Sequence, residues 1–70
     1  MFQGNSKMFM LKEDRCKNDE PLWLIYHDYH REYQILGGGG YEHATVSITP
    51  AFNARKVALD LFNSIKENHK

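Results

Sequence analysis

The stretch from Leu22 to Leu36 sets the first constraint on the fold. Its fifteen residues contain no glycine or proline and are rich in aromatic and branched side chains. Such residues favour a pleated, half-buried surface. As one strand they would span roughly 50 Å at about 3.3 Å per residue. A compact chain of 70 residues has a radius of gyration of only about 11 Å, so a single straight strand does not fit. The tract must fold back on itself. Leu22 to His27 and Arg31 to Leu36 are the predicted arms of a hairpin that turns at Asp28, Tyr29 and His30. Asp28 suits such a turn, although no glycine stands beside it.

Gly37 to Gly40 is the clearest punctuation in the chain. Four glycines hold the interior of a strand or helix poorly and predict a second, flexible turn. Beyond it, Ala44, Val46 and Ile48 alternate with Thr45 and Ser47, the pattern of a half-buried strand from Ala44 to Thr49. Thr49-Pro50 then reads as a helix start, because Thr caps free amides and Pro loses nothing at the first helical position. Ala54, Val57, Ala58, Leu61, Phe62 and Ile65 recur at the helical period and form the expected buried face. Phe52 and Leu59 fall at its margin. The helix is expected to fray near Asn68.

Before the hairpin, Lys7 to Leu11 predicts a short strand. Lys12 to Glu20 holds seven charged residues in nine without an apolar period, and is expected to be a solvated loop. The fold class that follows is α+β: a small antiparallel sheet of three to four strands packed on one C-terminal helix, in the order ββββα. Residues 1–70 are expected to form one small domain, with 1–20 partly flexible.

A chain this short hides only about 60% of the surface it exposes when unfolded, so its core is marginal. Cys16 is the sole cysteine, which excludes an internal disulfide and a cysteine-based zinc site. Arg15 and Lys17 flank it, and an incidental exposed thiol is expected there. Met8 to Leu11 is too short for the core of a secretory signal, and no run approaches a membrane span. These features and the lone thiol predict a cytoplasmic protein.

Nine basic residues balance nine acidic ones. From Leu22 to Thr49 the one cation, Arg31, faces Asp28, Glu32 and Glu42. The predicted sheet is slightly acidic and the predicted helix slightly basic, a poor footprint for phosphate binding. Nor is Gly37 to Gly40 a phosphate loop, since Tyr41-Glu42 follows where Lys-Ser/Thr would be needed.

The functional signal is the aromatic tract. Trp23, Tyr26, Tyr29, Tyr33 and Tyr41 include every Trp and Tyr in the chain. Such rings bury area at little entropic cost and keep a polar tip, as interface residues do. Leu22, Leu24 and Tyr26 alternate with Trp23, Ile25 and His27, so both faces of that strand are apolar. One helix covers one face. The other is expected either to lie under the Met8 to Leu11 segment or to meet a partner or a second copy.

The leading expectation is a small non-enzymatic binding protein, an inhibitor or adaptor of the kind phages and mobile elements encode. Trp23, Tyr26, Tyr29 and Tyr33 would be its anchors, with Asp28, Arg31 and Glu32 setting register. The alternative is nucleic-acid binding by the same sheet, aided by Arg31, Arg55, Lys56 and Lys66. A third class uses His27, His30 and His43 as metal ligands, or His30, Glu32 and Glu42 as acid and base. It is disfavoured because His27 and His30 point to opposite faces of a strand and a domain this small rarely encloses a pocket. No catalytic residue, metal or cofactor is expected.

Overall fold

A computed structural model describes residues 7–48 and 53–68. Strands β1 (Met8–Arg15), β2 (Pro21–His27), β3 (Glu32–Gly37) and β4 (Glu42–Ser47) precede helix α1 (Ala54–Asn68). The strands form one antiparallel sheet in the order β1-β2-β3-β4, and α1 packs across β2, β3 and β4. This is the expected α+β arrangement in ββββα order. The Thr49-Pro50 helix start and the marginal position of Phe52 lie outside the described residues.

Each connection has a local cause. The first hairpin closes at Cys16, whose N–H donates to the Glu20 carbonyl at 2.9 Å and whose carbonyl accepts from the Asp19 N–H at 2.9 Å. Asp19 takes the left-handed conformation there (φ 68°), which Asp tolerates better than most residues. The second hairpin turns through Asp28–Arg31 without glycine because Arg31 itself adopts φ 55°. The third turns through a short 3-10 segment, Gly38–Gly40, in which Gly39 and Gly40 have φ of 72° and 81°. Two consecutive positive-φ residues explain why glycines stand at these positions.

Register assigns every side chain to a face. On the helix side, Phe9, Tyr26, Tyr33 and Val46 form one row across the four strands. Lys12, Leu24, Ile35 and Ala44 form the next, followed by Asp14, Leu22 and Gly37. Leu22, Leu24 and Ile35 are fully buried against Ala58 and Phe62 of α1. Each of these larger side chains contributes about 1.5–3 kcal/mol by burial. Tyr33, Val46, Leu59 and Ile65 pack at the margin of this core.

Four expectations require correction. The charged loop is shorter than the sequence implied, because Lys12 to Arg15 belong to β1. Lys12 and Asp14 lie on the helix side at its margin, where charge is useful. The Lys12 ammonium sits 5.3 Å from the centre of the Phe62 ring, and Lys66 bonds Asp14 at 2.8 Å. With charged side chains on both faces, the strand shows no apolar alternation.

Met8 to Leu11, moreover, does not fold over the open face of the sheet. It pairs with Ile25, Tyr26 and His27 as the sheet's edge. Cys16 is a core residue with 6% exposure. Burial pushes its thiol up, and Glu20 and Asp14 nearby push the same way, so it is not the exposed thiol expected between Arg15 and Lys17.

The helix face is also rotated from the expected stripe. Ala54, Ala58 and Phe62 are buried and Leu59 joins the core margin, whereas Val57 and Leu61 are 38% and 36% exposed. Lys66 reaches β1 from the flank that carries Leu59, while Ser64, Ile65 and Asn68 line a groove with His43 of β4 on the other. The helix therefore bears on the large residues of β2 and β3, and Val57 and Leu61 overhang the β4 side.

Candidate interaction surface

The face turned away from α1 carries three rows that cross all four strands, and Arg15 pairs with Pro21 beyond them. Met8, His27, Glu32 and Ser47 form the first, and Met10, Ile25, Gln34 and Thr45 the second. Glu13, Trp23, Leu36 and Glu42 form the third. An apolar band thus crosses the face diagonally, from Met8 and Met10 through Ile25 and Trp23 to Leu36. Ile25 is only 9% exposed although it lies outside the core cluster under the helix. Its own neighbours on the open face seal it. Met8 and Met10 remain 62% and 57% exposed. Leu11 is the extra residue of a bulge in β1 and is exposed beside them.

The rest of this face is a polar network. The Trp23 indole N–H donates to the Glu13 carboxylate at 3.2 Å. Gln34 donates its amide to Glu42 at 2.6 Å, which turns its carbonyl oxygen toward His27; that oxygen accepts from His27 Nε2 at 2.6 Å. Thr45 donates to the second Glu42 oxygen at 2.9 Å. The Gln34 and Thr45 bonds hold the Glu42 carboxyl below the usual carboxylate range; burial opposes them, and His27 adds a smaller pull downward. Glu42 is therefore a fixed negative charge at neutral pH.

The aromatic tract does not form one surface. Trp23 stands on the open face. Tyr26 and Tyr33 stand on the helix side, where their rings lie 5.0 Å apart and Phe9 stacks on Tyr26 at 6.5 Å. Tyr29 is 68% exposed in the second hairpin turn, with Asp28 and Arg31 exposed beside it. Glu32 follows on the open face, paired with His27. Of the four expected anchors the open face therefore holds Trp23, and of the residues expected to set register it holds Glu32. Met8, Met10, Leu36 and the Gln34–Glu42 pair were not legible as site residues. The signal for the methionines is the run Met8-Phe9-Met10-Leu11, whose place beside Trp23 depends on strand pairing.

The alternative sets are dispersed. His27 and His30 do approach, with ring centres 6.0 Å apart, but His43 lies on the helix side beside Gly37 and the end of α1. Among the described residues, no three His, Cys, Asp or Glu side chains gather as metal ligands would. Glu32 and Glu42 lie in different rows of the sheet, so His30, Glu32 and Glu42 do not converge. The groove formed by His43, Ser64, Ile65 and Asn68 is open and holds about 250 Å³. Clefts that enclose small molecules are usually larger, roughly 300–1,000 Å³.

Of the basic residues, Lys56 pairs with Asp60 at 3.3 Å and Lys66 with Asp14 at 2.8 Å, while Arg55 is exposed. No helix among the described residues is long and apolar enough to cross a membrane. No family model, curated protein or solved structure matches the chain.

Proposed function

We propose that this is a small non-enzymatic binding protein that docks the open face of its sheet on a protein partner. The observation that carries this reading is the diagonal apolar band, Met8, Met10, Ile25, Trp23 and Leu36, on the face that α1 leaves uncovered. Exposed methionines add to it, because an unbranched, polarizable side chain adapts to the shape of what it meets. The polar network from His27 to Thr45 supplies fixed hydrogen-bonding groups beside the band, the mixture of apolar centre and polar rim that interfaces share. Tyr29 and Arg31 at the end of the hairpin extend the contact beyond the face.

Nucleic-acid binding draws less support. Glu13, Glu32 and Glu42 share the open face, and Lys56 and Lys66 are already engaged in ion pairs. Phosphate backbones need clustered, available cations.

The test compares Met10→Asp and Trp23→Ala with Arg55→Ala, which lies on the helix. Immobilised wild-type protein and the Arg55→Ala control are expected to capture the same partner from extract, and both open-face variants to lose it while keeping the wild-type circular dichroism spectrum. Equal capture by all four proteins would sink the proposal.

A further inference from the structure

The open face also specifies the chemistry of what it binds. From Met8 on β1 to Leu36 on β3 the apolar band crosses two strand spacings and four residues of rise. With strands about 4.8 Å apart and about 3.3 Å per residue, its length is about 16 Å. That is about three turns of an α-helix. Glu13 and Glu32 occupy mirrored positions about Ile25, the first on β1 toward the Trp23 end and the second on β3 toward the His27 end. Glu42 stands on β4 beyond Leu36. Each side of the band is thus flanked by a carboxylate, and a third closes its end.

The positive charge on this face does not balance them. Among the described residues Arg15 is the one lysine or arginine in register with it, and its guanidinium turns back to the first hairpin, donating to the Asp19 carbonyl at 2.6 Å and lying 3.8 Å from the Asp19 carboxylate. His27 is bonded to Gln34. An apolar band with an anionic surround repels phosphate-rich partners and attracts cations attached to an apolar stripe.

We infer that the open sheet face receives a cationic amphipathic helix of another protein, its apolar residues along Met8, Met10, Ile25, Trp23 and Leu36 and its lysines or arginines against Glu13, Glu32 and Glu42. The bound assembly would be a three-layer sandwich, with the partner's helix on one side of the sheet and α1 on the other. This rests on the docking role proposed above and adds the charge and length of the docked segment.

The experiment uses three synthetic 12-residue peptides with the same leucine pattern and with Lys, Gln or Glu at the polar positions. Each is titrated against the full chain, and the fluorescence of Trp23, the sole tryptophan, reports binding at the face. The Lys peptide is expected to bind at least about 10-fold more tightly than the Glu peptide, with the gap narrowing as salt is raised. Glu13→Gln with Glu32→Gln should remove most of that preference. This pair leaves the Glu42 network intact, and adding Glu42→Gln should remove the rest. Equal affinities for all three peptides, each abolished by Met10→Asp, would overturn the charge inference and leave face docking standing. No binding by any peptide would overturn the inference and count against the docking reading as well. A Trp23 response to duplex DNA or anionic vesicles stronger than that to the Lys peptide would overturn it too.

Discussion

Gly37 and His43 are a packing pair: a Cβ added at Gly37 would lie 2.5 Å from His43 Nε2 and 3.1 Å from its Cδ2. Gly37 has an ordinary extended backbone (φ −114°), so the restriction is steric rather than conformational. Gly37→Ala should therefore displace the His43 ring and lower stability by about 1–3 kcal/mol, the usual cost of overpacking. Combining it with His43→Ala should recover part of the loss. Urea unfolding of the two single variants and the double variant measures the coupling.

The ion pair between Asp14 and Lys66 makes stability depend on pH. The hydrogen bond from Lys66, then that from the Arg15 N–H, hold the Asp14 carboxyl below its usual range, against a small effect of burial. The same bond to Asp14 raises Lys66. A lowered carboxyl stabilises the fold above its ordinary pKa, and that contribution disappears as pH falls through the lowered value. A raised amine stabilises below its ordinary pKa and loses that contribution as pH rises through the raised value. Wild type should exceed Asp14→Asn in stability at neutral pH and converge with it in strong acid. Denaturation midpoints from pH 2 to pH 7, on the order of half-unit steps, would show this. Parallel curves throughout would contradict it.

Arg31 holds a left-handed backbone conformation, φ 55°, that its side chain makes unfavourable. Its carbonyl accepts the Ile48 N–H at 3.0 Å, which ties the second hairpin to the end of β4. Glycine meets that geometry without the steric cost. Arg31→Gly should raise stability by about 1 kcal/mol, seen as a higher thermal midpoint. If Arg31 also touches the partner, the same variant should bind less well.

Cys16 closes the first hairpin and packs against Leu22 and its neighbours in the core. Its buried thiol, raised above the ordinary range, should react slowly with a thiol reagent in the native state and rapidly in urea. Cys16→Ser, which places a hydroxyl where the sulfur is buried, should cost about 1–3 kcal/mol. Native labelling as fast as in urea would show that the first hairpin opens independently of the core.

The parts of the fold that were legible in the sequence are those with one physical cause each. Length forbade a single strand from Leu22 to Leu36, alternation marked β4, and Gly37 to Gly40 announced a turn. The parts that were not legible depend on neighbours distant in sequence. Lys12 and Asp14 read as loop residues because their partners, Phe62 and Lys66, come from the far end of the chain. Val57 and Leu61 fit the helical period, yet α1 turns Ala54, Ala58 and Phe62 into the sheet and leaves the other two at the margin. The two-faced character of β2 was visible, but not that Trp23 faces away from the helix and Tyr26 toward it. Only the register with β1 and β3 separates the two, and pairing is not written in local composition.

The bulge at Leu11 is a phase shifter for β1. Before it, Phe9 lies on the helix side, and after it Lys12 and Asp14 do, three and five residues on. Strict alternation would have placed Glu13 and Arg15 under the helix flank and moved Lys12 away from Phe62. A single inserted residue thus decides which half of an alternating charge sequence braces α1 and which half confronts a partner. Deleting Leu11 would leave both sets where they are, because Met10 and Lys12 would become successive residues opposite Ile25 and Leu24; pairing Leu11 in regular alternation is what would trade them.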